Sequence, residues 1–405
     1  MATLKKNVIS LGMVQIFIYI IPLLQFPYLT RTLGVDCFGV VAYSLSLVQL
    51  ANIITDYGFN LYLPQKILDK KNDESKIFSV TIYAKLILVI ITITLYVLFV
   101  FVSKNYNLYF KYFFILLIAI ISNGFMPIWF FISKEDLHIY SRIMIITKLS
   151  SLFFIYFLVD SPSDIYTLAW IYSLQALSVA FLLLSIVVIK YRIKIVVCSV
   201  DEVKKLLISS FPFFLSRVSA SLYSSVCSIF LGYYSTSQVA LYNAAEQLYK
   251  AGQQVFWPLN QALYPYMIRT KDYFVFIKIV FAAVIVSLFG VFVGIAYGAD
   301  LLSIIFGAEF KNASDILSIF MLAILVNTIG SLIGYPALAP LGLSNIANKS
   351  VIYAGCVQIL LLLFIGRYVD YIDGVIVAIT VVVCELVVAF YRGKYLFEYG
   401  RKRGI

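Results

Sequence analysis

Apolar stretches of about twenty residues or more follow one another along nearly the whole chain, separated by short polar loops. One such stretch suffices to cross the hydrocarbon core of a bilayer as an α-helix. A chain made almost wholly of them predicts an all-α, polytopic membrane protein. We read twelve spans, over residues 8–30, 38–62, 77–102, 112–132, 140–159, 166–188, 207–232, 239–267, 274–297, 314–339, 348–366 and 374–391. Composition agrees: 62% of residues are hydrophobic, 13% are charged and the mean hydropathy is +0.96. Soluble chains are nearer half apolar and a quarter charged. A soluble enzyme, a disordered protein and a coiled coil are excluded. The opening run, MATLKKNVISLGMVQIFIYIIPLL, is too long for a signal peptide and no small-x-small cleavage site follows. It reads as an uncleaved first span.

The net charge of +11 is first a topology signal, because cytoplasmic loops are rich in Lys and Arg. With the N-terminus inside, Lys5, Lys6, Lys66, Lys70, Lys71, Lys134, Lys190, Arg192, Lys204, Lys205, Arg269, Lys271, Arg392, Lys394 and Arg401 to Arg403 all fall on the cytoplasmic side. Arg31, Lys104, Lys111, Lys311 and Arg367 fall opposite. Both termini are therefore expected in the cytoplasm, and the basic tail needs no nucleic acid to explain it. The five cysteines, Cys37, Cys198, Cys227, Cys356 and Cys384, are scattered, and His138 is the only histidine. No metal centre and no catalytic residues are expected. No P-loop, GxGxxG, HExxH or GxSxG motif occurs, so any transport should be secondary or facilitated, with no bound cofactor.

The chain also reads as duplicated. A shift of 198 positions lays Leu33-Gly34 on Leu231-Gly232, Val41-Ala42 on Val239-Ala240 and Gln49-Leu50 on Gln247-Leu248. The basic segment IKYRIKIVVCSVDEVKK lies midway. We expect two six-helix bundles, residues 1–195 and 196–405, arranged as a parallel repeat around a central cavity.

Ionisable side chains within spans are costly and mark function by default. Asp56, Lys85, Lys148, Arg217, Glu246, Lys250 and Glu385 all lie within spans. Lys85 and Lys148 sit close enough to cytoplasmic loops for snorkelling to be an alternative. Spacing gathers others onto single helical faces: Gln49, Asn52, Asp56 and Asn60; Arg217, Ser221, Ser224, Ser225 and Ser228; Asn243, Glu246, Lys250, Gln253 and Gln254. For the serines, close helix packing is the plainer reading. For Glu246 and Lys250, a self-neutralising ion pair is the plainer one. With Arg31 at the outer end of span one, the basic candidates outnumber the acidic ones, which favours an anionic ligand.

Two segments resemble a known family. In FPYLTRTLGVDCFGVVAYSLSLVQLANIITDYGFN, the matching positions are Pro27, Tyr28, Leu29, Arg31, Leu33, Gly34, Gly39, Asp56, Tyr57, Gly58 and Phe59. The second segment runs from FPFFLSR, ending at Arg217, through the AAE of Ala244–Glu246 to the QALYP ending at Pro265. Both resemble O-antigen flippases of the Wzx type, from the superfamily of multidrug, oligosaccharidyl-lipid and polysaccharide exporters. The resemblance implies a multi-pass protein of the bacterial inner membrane. Its substrate would be undecaprenyl-diphosphate-linked oligosaccharide, moved from the cytoplasmic to the periplasmic leaflet. It would contact membrane lipids and work beside an O-antigen polymerase and chain-length regulator. Arg31 and Arg217 would be the first diphosphate candidates, with Lys250, Lys85 and Lys148 behind them. Asp56, Glu246 and Glu385 would be candidates for coupling to a proton or sodium gradient. A multidrug exporter of the same fold is the alternative, with a membrane polymerase third.

Overall fold

The computed structural model describes the backbone of residues 2–67, 73–102, 104–222 and 225–403. Side chains are described for these except 2–19, 65, 104–105, 216, 219–222 and 400–403. The side chains of Lys5, Lys6, Lys70, Lys71, Lys104, Ser221, Ser224 and Arg401 to Arg403 thus lie outside the described residues. Among the described residues every regular element is helical. The protein is an all-α polytopic membrane protein.

The helices are α1 (Ala2–Asp56), α2 (Phe59–Ile67), α3 (Glu74–Val102), α4 (Phe110–Gly124), α5 (Ile128–Ser133), α6 (Leu137–Leu158), α7 (Ile165–Ile189), α8 (Val200–Leu222), α9 (Ser225–Tyr234), α10 (Thr236–Thr270), α11 (Tyr273–Ala296), α12 (Gly298–Phe306), α13 (Ser314–Leu332), α14 (Ser344–Tyr368) and α15 (Gly374–Arg403). Each of the twelve sequence-derived spans falls on one or two of them. By length and hydropathy alone, nine stretches among the described residues qualify as spans, with Ile20–Pro64 counted as one. That stretch turns at Gly34, whose φ of 71° and ψ of 176° are not helical. Nothing crowds a Cβ at Gly34. The residue is required by its backbone angle, not by space. The polar faces of α8 and α10 keep their hydropathy below that of the other spans.

The chain forms two compact units, Met1–Val218 and Ser219–Ile405. In the first, α4 packs on α7, and α1 packs on α6, α4 and α3. Phe78, Trp129, Phe130 and Phe131 form its aromatic core with Leu183 and Val187. In the second, α13 lies between α15, α11 and α10, and α14 packs on α15. Large apolar side chains such as Phe157, Phe181, Phe289, Phe292, Leu360 and Leu363 are exposed, as a lipid-facing surface requires. Buried serines and threonines on the spans mostly bond to the carbonyl one turn back, as Thr81, Thr92, Ser141 and Thr328 do. This satisfies the hydroxyl where water is absent.

Candidate functional site

The first unit gathers its charge where α1 stops. Asp56 ends α1, and Tyr57 and Gly58 both take positive φ, 48° and 74°. Gly58 has a second reason to be glycine: a Cβ there would stand 2.7 Å from the backbone of Phe213 and Phe214 on α8. The Tyr57 ring stacks on Phe214 at 4.6 Å, and Tyr62 packs against Phe213. So the DYGF turn and the FPFFLSR segment, far apart in sequence, touch. That contact brings the Arg217 Nε to 3.6 Å from Asp56 Oδ2. Asn60 donates its amide to Asp56 Oδ1. Asp56 is mostly buried, while about half of the Arg217 side chain remains accessible. Asn52, one turn before Asp56, keeps a buried Oδ1 that accepts no hydrogen bond among the described residues.

The other basic candidates of this unit differ in setting. Lys85 on α3 is buried at 2% exposure. Its Nζ donates to the Gly124 carbonyl at 2.6 Å and to that of Met126 at 3.4 Å. Pro127 ends α4 there, leaving carbonyls with no helical N–H. A cation at a helix C-terminus is favourably placed. A Cβ added at Gly124 would stand 3.5 Å from Thr55, the neighbour of Asp56, and Asp56 and Lys85 attract electrostatically. Lys148 on α6 instead faces a cavity inside the unit. Arg31 is exposed on α1, one turn before Gly34. The structure therefore brings Asp56, Arg217 and Lys85 into one neighbourhood.

In the second unit, the carboxylate of Glu246, buried on α10, meets Lys250 Nζ at 2.8 Å, the i,i+4 pair expected from spacing. Asn243 on the same face donates to Ser228 Oγ at 3.1 Å and so ties α10 to α9. Glu385 on α15 forms a separate cluster. Its Oε1 accepts from Tyr249 Oη and from Asn327 Nδ2, both at 2.9 Å. Gln253 Nε2 in turn donates to Tyr249 Oη at 2.8 Å. Tyr249 was not legible as a partner, because a tyrosine in a span reads as an interfacial anchor.

Arg392 is a residue whose burial the sequence does not reveal. Counted there among the charges of the cytoplasmic loops and ends, it is buried inside the second unit. Its Nε donates to Ser350 Oγ at 2.8 Å, Nη1 to the Gly330 carbonyl at 2.8 Å and Nη2 to the Ala347 carbonyl at 3.1 Å. It thereby pins α13 and α14 to α15. The missed signal was its distance from Glu385: two helical turns, hence the same face of α15. Among the described residues no three His, Cys, Asp or Glu side chains gather as a metal site.

Residues 4–271 match the sequence pattern of the polysaccharide biosynthesis protein family. The chain belongs to that family. A protein of Escherichia coli K12 named "Putative O-antigen transporter" is 31% identical over 267 residues, 65% of this chain. That alignment covers 64% of the E. coli protein's length. A Shigella dysenteriae protein of the same name is 26% identical over 370 residues, 88% of this chain and 91% of its own. Among solved structures, an inward-facing multidrug resistance MATE family transporter of the MOP superfamily matches with a TM-score of 0.71. The match covers 98% of both chains at 16% identity, a likeness of fold alone. Family membership identifies the DYGF and FPFFLSR segments, both inside the matched region, as parts of a polysaccharide biosynthesis protein.

Proposed function

We propose that this family member is a secondary transporter that flips undecaprenyl-diphosphate-linked oligosaccharide, an O-antigen repeat unit, from the cytoplasmic to the periplasmic leaflet of the bacterial inner membrane. Both termini would face the cytoplasm, and an O-antigen polymerase and chain-length regulator would act on the product. The observation that carries the reading is Arg217. Its guanidinium is half accessible, is held beside Asp56, and sits in the contact between two family-like segments. A diphosphate needs such a fork of donors. Family membership and the names of the two relatives support a glycan cargo. Arg31, Lys250, Lys85 and Lys148 remain the further basic candidates. Of these, Arg31, Lys85 and Lys250 already hold partners within the protein.

Asp56 is the leading candidate for ion coupling, with Glu246 and Glu385 behind it. A carboxylate that can trade a proton or sodium ion for the guanidinium of Arg217 would link ion binding to cargo release. Glu385, by contrast, already accepts from two neutral donors.

The test is transport in a deletion host. Arg217→Ala should abolish surface glycan at unchanged protein level and leave lipid-linked repeat units on the cytoplasmic leaflet. Arg217→Lys should restore part of the flux. Asp56→Asn should flip without responding to the ion gradient. Normal surface glycan in the deletion itself would overturn the reading and favour an exporter of the same fold. Repeat units that reach the outer leaflet unpolymerised would point to a polymerase.

A further inference from the structure

We infer that the interior of the first unit holds a separate anion-binding site, centred on Lys148. A cavity of about 220 Å³ lies among α1, α4, α6 and α7, lined by Lys148 together with Gln25, Asn123, Ser151, Tyr172 and Gln175. Its remaining walls are apolar. No acidic side chain lines it. Among the described residues Lys148 makes no ion pair and no hydrogen bond.

This combination has a physical consequence. An ammonium deep in a span costs about 2.5–3.5 kcal/mol on insertion scales unless something compensates it. Lys85 shows the protein's usual remedy, carbonyls at a helix end. Lys148 has none. The neutral lining is rich in donors: three amides, a seryl hydroxyl and a tyrosyl hydroxyl. Gln25 Nε2 donates to Tyr172 Oη at 2.6 Å, which leaves the tyrosine's own proton free to donate. Gln25 is itself buried, at 7% exposure, so the pair is a built feature of the interior. A positive charge ringed by neutral donors suits one anionic group.

Size narrows the class. Drug-sized sites run from about 300 to 1,000 Å³. This cavity admits one phosphate, or one sugar ring bearing a carboxylate, but no oligosaccharide. The anionic group has two sources: a free inorganic anion or an acidic sugar of a glycan. The site is distinct from the Asp56–Arg217 cluster and stands whether or not the chain flips lipid-linked glycan.

The test is thermal unfolding of the purified full-length protein in nanodiscs, in a buffer whose only other anion is a bulky sulfonate. Inorganic phosphate, glucuronate and glucose are titrated separately. Phosphate or glucuronate should raise the unfolding temperature saturably, and glucose should not. Tighter phosphate binding assigns a free anion; tighter glucuronate binding assigns an acidic sugar. Lys148→Gln should weaken the preferred anion at least tenfold, and Lys148→Arg should retain it. If Lys148→Gln does not fold, Gln25→Leu decides, with several-fold weaker binding expected. The inference fails if neither anion binds saturably, if glucose binds as well as glucuronate, or if the preferred anion binds the folded deciding variant as tightly as the wild type.

Discussion

Lys85 and Lys148 look alike in sequence: single lysines in apolar helices of the same unit. The structure separates them. Lys85 is locked onto the carbonyls that end α4. Lys148 faces a cavity of mixed polar and apolar lining and makes no hydrogen bond among the described residues. One cation is therefore part of the scaffold, and the other is available to a ligand. The difference lies in the neighbours: Pro127 breaks the helix beside Lys85, whereas α6 runs unbroken through Lys148. A buried charge indicates function only after the backbone acceptors around it are counted.

Arg392 is the extreme of the scaffold type and gives the largest expected effect. Arg392→Ala should destabilise the protein by about 3–4 kcal/mol, because it removes three hydrogen bonds of a buried guanidinium at once, those to Ser350 Oγ and to the Gly330 and Ala347 carbonyls. The measure is the denaturant or thermal unfolding midpoint in detergent micelles. An unchanged midpoint would remove Arg392 from the scaffold class.

The central comparison is sharpened by the same substitution at both lysines. Lys85→Met should destabilise by about 2 kcal/mol, since the Gly124 carbonyl loses its donor in a site too buried for water to replace it. Lys148→Met should be neutral or stabilising by about 1 kcal/mol in anion-free buffer, because it removes a charge that nothing compensates. Opposite signs confirm the distinction. Equal losses would show that Lys148 is structural too.

How far the sequence carried follows from these cases. The spans were legible because lipid imposes long apolar runs, but the break at Tyr57 and Gly58 was not: span two, 38–62, reads as one helix through it. The Glu246–Lys250 pair was legible because i,i+4 spacing is local. The contact of Asp56 with Arg217 was not, since it spans most of the unit and depends on α8 packing against a two-residue break. Nor was the burial of Arg392: α15 continues past the apolar run as helix, so hydropathy put its last turns in a loop.

Carboxylate partners form a third class, and their expected effects are smaller. Lys250 is about one-third accessible, so its ion pair with Glu246 is partly screened. Lys250→Ala should cost about 0.3–0.5 kcal/mol as an exposed helix pair and more only if Glu246 stays charged in its buried position. Measuring Lys250→Ala against Lys250→Ala/Glu246→Gln decides between these. If the double variant recovers the loss, the stranded carboxylate was its source.

The smallest effect is a pH dependence at the turn between α5 and α6. Asp136, between α5 and α6, accepts from Lys190 Nζ at 2.9 Å and from the Tyr191 hydroxyl, with His138 Nδ1 at 3.6 Å. Partial burial opposes its charge, but the hydrogen bonds from Tyr191 and Lys190 outweigh that and hold the carboxyl below its ordinary value of 3.8. A carboxyl depressed in the folded state binds fewer protons there than when unfolded. Its contribution is therefore whole above the ordinary value and is lost as pH falls through the folded one. Between about pH 7 and pH 5 the Asp136 carboxyl stays ionised in both states and contributes no change of its own to the unfolding midpoint. Below about pH 4 the wild type should lose stability more steeply than Asp136→Asn, which has no carboxyl to protonate. Parallel curves for the two proteins would mean that Lys190 is compensated by solvent rather than by Asp136, leaving this end of the unit without a scaffold cation of the third class.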